Sequence, residues 1–288
     1  MLAIGGGLGA ACSWAIATLA SSRSSRMIGA VPVIGWVMLV GLVASIGPAA
    51  LSTPVNLEPV QLVELVLLGL SYTTGLLLTY AALTIGRISI VAPITATEGA
   101  LAAIISVALG EELSLATAVL LALIAGGIVL AAYERAVDQE QGPRRTDPDT
   151  QRRTVLLALA AAGAFSVGLV AAGRLGEAGV PPAWVILGGR IVGVLAITIP
   201  LVALGRLRLV RPAVPLVLLS GLLEALGSGL YVVAAHEGVA TAAVLSSQFA
   251  AVAAIGGYLL FGERLQRVQV VGVVVIVAGV SLLAVSTI

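Results

Sequence analysis

A constant offset of 152 residues lays one half of this chain over the other. It carries Gly69 to Gly221, Gly75 to Gly227, Gly86 to Gly238, Gly110 to Gly262 and Gly127 to Gly279. The same offset carries Glu111 to Glu263, Leu113 to Leu265 and Pro48 to Pro200. Eight identities at one spacing are more orderly than scattered glycines would produce, so the chain reads as an internal duplication. What a duplicated unit can build depends on its solvent, and here the composition decides. Hydrophobic residues make up 59% of the chain, charged residues only 10%, and the mean hydropathy is +1.13. Soluble domains carry about 25% charged residues, so a chain this apolar could not cover its own surface in water. The expected solvent is lipid.

A bilayer core takes roughly 20 apolar residues per helix. That ruler predicts ten spans, near 2–21, 29–50, 61–83, 88–109, 113–133, 154–174, 181–203, 212–235, 239–261 and 266–287. Pro54 and Pro59 interrupt after the second, while Pro181, Pro182, Pro212 and Pro215 open the seventh and eighth, where a missing N–H costs little. The one long polar stretch, "ERAVDQEQGPRRTDPDTQRRT", divides five spans from five. The expected organisation is a first repeat over 1–133, a polar linker over 134–153 and a second repeat over 154–288. An odd number of helices per repeat makes the second half enter the membrane from the opposite side. The fold class expected is therefore an all-α integral membrane protein of ten transmembrane helices in two inverted five-helix repeats, an architecture of secondary transporters.

Several function classes are disfavoured. A net charge of +1 offers no nucleic-acid footprint. The single Cys12 allows no internal disulfide, no His or Cys pair has metal spacing, and no G-x-x-x-x-G-K-[ST] phosphate loop exists. No cofactor is expected. Met1 to Ala20 lacks a positive segment before its apolar run, so it reads as the first membrane helix and not as a cleaved signal.

The segments "AALTIGRISIVAPITATEGALAAIISVALGEEL" and "AAHEGVATAAVLSSQFAAVAAIGGYLLFGERLQRVQVVGVVVIVAGVSLL" resemble the paired EamA modules of the drug/metabolite transporter superfamily. In that family a Gly lies between helices three and four, a Gly-Glu closes helix four and a Gly-rich fifth helix follows. The resemblance implies a central cavity and ATP-independent transport of small metabolites, amino acids or drugs. The two modules differ where chemistry would sit: Glu98 pairs with Ala250, and Arg190 pairs with Met38.

An ionisable group at the bilayer centre costs at least about 2.5 to 3.5 kcal/mol, so such groups usually face a cavity or a partner. Glu98, Arg190 and Glu224 stand near the middle of spans four, seven and eight. Glu98 shares a polar-to-small stripe with Thr95, Ala102 and Ser106; Glu224 shares a face with Ser220, Gly221, Gly227, Ser228 and Tyr231, and its repeat mate is Tyr72. A guanidinium suits bidentate capture of a carboxylate or phosphate. The alternative for all three is a permanent ion pair of Arg190 with Glu224 or Glu98, packed among small residues. Tyr72, Thr79, Tyr80, Ser246, Ser247, Gln248 and Trp14 are candidate hydrogen-bonding groups for a polar solute, whereas Trp36 and Trp184 read as interfacial anchors and His236 and Glu237 as a solvated cap.

Gly110 and Gly262 read as left-handed helix ends. Glu263, in the first turn of span ten, then complements that helix's positive end, a solution that Glu111 repeats. Thirteen of the fifteen arginines fall at the span ends on the linker's side, and Arg174 alone lies on the other. The positive-inside rule puts the linker in the cytoplasm and both termini outside, whereas the family resemblance implies cytoplasmic termini. The expected function is secondary active transport of a small metabolite, amino-acid-like solute or drug across the cell membrane, with proton or solute exchange. Its partners are that solute, protons and the bilayer, with no nucleic acid, and a monomer is expected. The alternatives are a multi-pass enzyme acting on lipid and a non-transporting scaffold or receptor.

Overall fold

The structure is a computed structural model that describes residues 2–86, 88–131, 148–249, 251–252 and 267–286. Among these every regular element is helical: α1 (Leu2–Ile28), α2 (Ala30–Leu51), α3 (Pro59–Ile85), α4 (Ile88–Thr95), α5 (Glu98–Ala108), α6 (Leu115–Ala131), α7 (Pro148–Glu177), α8 (Pro182–Gly193), α9 (Ile199–Ala203), α10 (Val214–Ala235), α11 (Val239–Ser246) and α12 (Arg267–Ser286). Among the described residues, six helical stretches are long and apolar enough to cross a membrane: Leu2–Ile28, Ala30–Leu51, Pro59–Ile85, Asp149–Glu177, Pro182–Ala203 and Arg211–Ala235. Helices suit that role because each satisfies its own backbone hydrogen bonds where no water can.

The helices turn many large apolar side chains outward. On α3, Val63, Val66, Leu67 and Leu70 are exposed while Gly69, Thr73, Leu76 and Tyr80 are buried. On α10, Leu218, Leu219, Leu222 and Leu226 are exposed while Ser220, Gly221, Glu224 and Tyr231 are buried. In water this distribution would leave an extensive apolar surface, which monomeric soluble proteins avoid. In lipid it is the stable arrangement.

Packing recurs in pairs at the spacing seen in the sequence. The largest contacts join α3 to α7 and α1 to α10, and α2 meets α8, α5 meets α11 and α6 meets α12. A Cβ placed on Gly69 would fall 2.7 Å from Val192 Cγ1, and one placed on Gly221 would fall 2.6 Å from Val40 Cβ. Val40 and Val192 are themselves 152 residues apart. Likewise Gly41 abuts the Arg190 side chain and Gly193 abuts Met38, again two positions and their mates. Small residues at these four crossings let the backbones approach as membrane helices do.

The structure corrects the expected elements at four places. Span four, expected to be continuous, is interrupted at Ala96 and Thr97 into α4 and α5; the ninth is interrupted at Ser247 and Gln248. At both breaks hydroxyls bond to preceding carbonyls: Thr95 to Val91 and Ala92, Thr97 to Ile94, Ser246 to Ala243 and Ser247 to Val244. Such local bonds compete with the helical ladder. Span seven widens into a π-helical segment, Val194–Thr198, between α8 and α9, with Thr198 bonded to the Gly35 carbonyl at 2.9 Å. Finally, α7 begins at Pro148, so 148–153, expected as linker, is helix. Residues 134–147, Gly262 and Glu263 lie outside the described residues.

Candidate functional site

The interior charges come from three helices. Small residues on α10 (Ser220, Gly221, Gly227, Ser228) turn Glu224 inward, and α3 brings Tyr72 opposite it; the Tyr72 hydroxyl donates to the Glu224 carboxylate. Arg190, on α8 just before the π segment, lies over the Tyr72 ring with its guanidinium carbon 4.9 Å from the centroid. Its Nη1 reaches Met38 Sδ at 3.6 Å and its Nη2 reaches Ser228 Oγ at 3.4 Å, while Ser228 donates to the Glu224 carbonyl at 2.7 Å. Arg190 and Glu224 are 3% and 4% exposed. The expected alternative of a permanent ion pair is not what forms: among the described residues no carboxylate lies within 4.0 Å of Arg190. Tyr72 stands between the two charges, its ring face toward the cation and its hydroxyl toward the anion. A desolvated cation over an aromatic face is worth about 2 kcal/mol.

Two of these contacts join a position to its own repeat mate. Tyr72 and Glu224 are 152 residues apart, as are Met38 and Arg190.

Two cavities adjoin along Trp14, Tyr72 and Leu169. One holds Arg190 with Ser228 and Tyr231 among apolar walls. The other holds both acids, Glu98 and Glu224, with Thr18, Thr79, Thr95 and the rings of Trp14, Tyr72, Tyr80, Phe165 and Phe249. Glu98 enters it from the first turn of α5, created by the break at Ala96 and Thr97, where the positive helix end favours a carboxylate. Phe165 meets Tyr72 edge-on at 5.6 Å, and Trp14 meets Tyr231 at 6.1 Å. Tyr80 and Ser220 are linked through Ser21.

Of the candidate residues, Glu98, Thr95, Glu224 and Tyr72 line the acid cavity, and Arg190, Tyr231 and Tyr72 the cationic one. The Thr95 hydroxyl bonds its own helix, and the Tyr231 hydroxyl donates to the Leu169 carbonyl at 2.8 Å. Ser247 and Gln248 are buried but line neither cavity; Ser247 packs on Gly99. Sequence reasoning missed Phe165, Phe249, Thr18 and Leu169. Phe165 had a signal: it stands against Gly75 as Trp14 stands against Gly227, and it follows Trp14 by 151 residues.

At one end of the bundle, two acids close helix starts that lie far off in sequence. Gly110 ends α5 at φ +104°, the left-handed region expected for it. Glu111, however, turns away from α6: the Ala240 amide at the start of α11 donates to its Oε1 and Oε2 at 3.1 and 3.0 Å. Burial raises the Glu111 carboxyl above the ordinary range, partly offset by that amide. Glu237 accepts from the Ala3 amide at 2.8 Å at the start of α1, which lowers its carboxyl. At the same end Arg174 pairs with Glu64 at 2.7 Å and the Trp184 indole donates to the Thr53 carbonyl. The Trp36 indole donates to the Arg208 carbonyl.

Lipid-facing helices around cavities that hold buried charges define a multi-pass integral membrane protein. The chain belongs to the EamA-like transporter family, whose model matches residues 1–133 and 152–285. It is similar in fold to a solved crystal structure at a TM-score of 0.72 and 20% identity, over 97% of this chain and 95% of that one. No curated protein matches.

Proposed function

We propose that this chain is a secondary active transporter built as ten helices in two inverted five-helix repeats. It moves a small solute through the cavities at their junction by alternating access, in exchange for a proton or a second solute. The observation that carries the reading is the contact of Tyr72 with Glu224 and of Met38 with Arg190. A residue touches its own repeat mate only near a two-fold axis, so the axis relating the halves would run through the charged site. That is where an inverted-repeat carrier rocks, and discontinuous helices at matching positions in the two halves are a feature of such carriers. Here those are α4–α5 and the segment that follows α11.

Glu111 supports the same reading. It lies in the first half and ties the start of α11, in the second, at one end of the bundle. Rocking that opens this end would break those bonds. The arginine distribution favours the opposite end as cytoplasmic. Acting as a carrier, the protein needs no nucleophile or metal at its interior charges.

The test is purified protein in sealed liposomes. Labelled solute should exchange across the membrane, and Arg190→Ala should abolish exchange while the protein still reconstitutes. Equal leakage from loaded and protein-free liposomes, across a panel of amines, amino acids and organic anions, would sink the proposal.

A further inference from the structure

We infer that the cavity holding Glu98 and Glu224 is a binding site for a small organic ammonium ion with an aromatic or aliphatic body. The inference rests on the carrier reading above and names the substrate class of that site. Five of the chain's eleven aromatic residues (three Trp, five Tyr, three Phe) line this one cavity. Trp14, Tyr72, Tyr80, Phe165 and Phe249 come from α1, α3, α7 and the segment after α11, so no single helical stripe accounts for their meeting. Aromatic walls around an acidic floor are the chemistry that recognises an alkylammonium group, through ring quadrupoles and a carboxylate together.

Charge points the same way. Both carboxylates are 4% exposed, and among the described residues neither has a basic side chain within 4.0 Å. Arg190 opens instead into the neighbouring cavity, behind the Tyr72 ring. Two acids and one arginine leave the ionised site one unit negative. One monovalent cation neutralises it; a zwitterion leaves the imbalance and an anion doubles it. Two buried polar atoms on the wall, Trp14 Nε1 and Thr79 Oγ1, have no hydrogen-bond partner in the protein, so a ligand's polar groups have places to bond.

A proton neutralises the same site, so proton and ammonium compete. The titratable groups around the cavity are Glu98 on α5, Glu224 on α10 and Tyr72 and Tyr80 on α3, with Arg190 on α8 behind Tyr72. Among the described residues, the walls from α1, α4 and α7 and Phe249 add none.

The experiment uses three probes with one ring and different charge: 2-phenylethylamine, L-phenylalanine and phenylacetate, titrated calorimetrically into the purified full-length protein. Phenylethylammonium should bind, weaken as the pH falls below neutral, and lose about tenfold or more in affinity in Glu98→Gln and Glu224→Gln. Phe165→Leu, which changes no charge, should weaken it by a smaller factor. Preference for phenylacetate, preference for phenylalanine, or binding of none of the three overturns the inference with wild-type protein alone. Liposome flux separates the two readings. Phenylethylammonium that binds but never crosses keeps the ammonium site and defeats the carrier; exchange of an anion only does the reverse.

Discussion

At position 38 of the first half stands a methionine, and at position 190 of the second an arginine; they touch. At position 72 stands a tyrosine, and at position 224 a glutamate that accepts its hydrogen bond. Around these pairs the halves are packed alike, with Gly41 and Gly193, and Gly69 and Gly221, admitting equivalent neighbours. The comparison teaches that duplication preserved what packing needs and released what chemistry needs. On a two-fold axis identical residues would meet as like pairs. Two glutamates or two arginines there would repel in low dielectric, so on the proposed axis divergence is what permits buried charges.

The largest effect should come from breaking one such pair. Glu224→Tyr should weaken phenylethylammonium binding by on the order of 100-fold, about 2.7 kcal/mol. Adding Tyr72→Glu, which restores the pair in mirror order, should recover affinity to within about tenfold. A double variant no better than the single would show that the two positions are not interchangeable across an axis.

Next in size are the shared crossings. Gly69→Val and Gly221→Val should each cost about 1–3 kcal/mol by overpacking, and nearly equally. Gly163→Val, where an added Cβ meets nothing within 4 Å, should change thermal stability little. A large disparity between the first two in a melting experiment would break the symmetry of packing.

Smallest are the helix caps, whose pH responses should have opposite sign. Glu111→Ala should cost about 1 kcal/mol by freeing the start of α11, whereas Glu111→Gln, a mimic of the protonated acid, should be tolerated. Because burial raises the Glu111 carboxyl, the folded state takes up that proton before the unfolded state does. Its contribution therefore improves as the pH falls from neutral through the raised value. Glu237, lowered by the Ala3 amide, contributes above the ordinary carboxylate range, and that contribution is lost as the pH falls through its lowered value. Melting temperatures across pH for wild type, Glu111→Gln and Glu237→Gln read both signs.

Much of the site was legible in the order of residues alone. Glu98, Arg190, Glu224 and Tyr72 stand out because an apolar span makes each polar residue costly, and the offset identified Tyr72 and Met38 as mates. The helix breaks were not legible, since Thr95, Thr97, Ser246 and Ser247 bond their own helices by a choice between backbone and side-chain partners that composition does not register. Ser247 and Gln248, at the second break, are buried and line neither cavity. Glu111 misled for a different reason. Its nearest helix start in sequence is α6, but its nearest in space is α11.

By itself the chain's sequence determined the solvent, the family and the duplicated order of small residues. These are properties of local composition and spacing, and each residue carries its part wherever its neighbours lie. Only the tertiary structure decided that Tyr72 would stand between Arg190 and Glu224, that five rings would gather on the acids, and that Arg190 would face the other cavity. Those depend on distances between residues remote in the chain, which packing sets and no window of sequence contains.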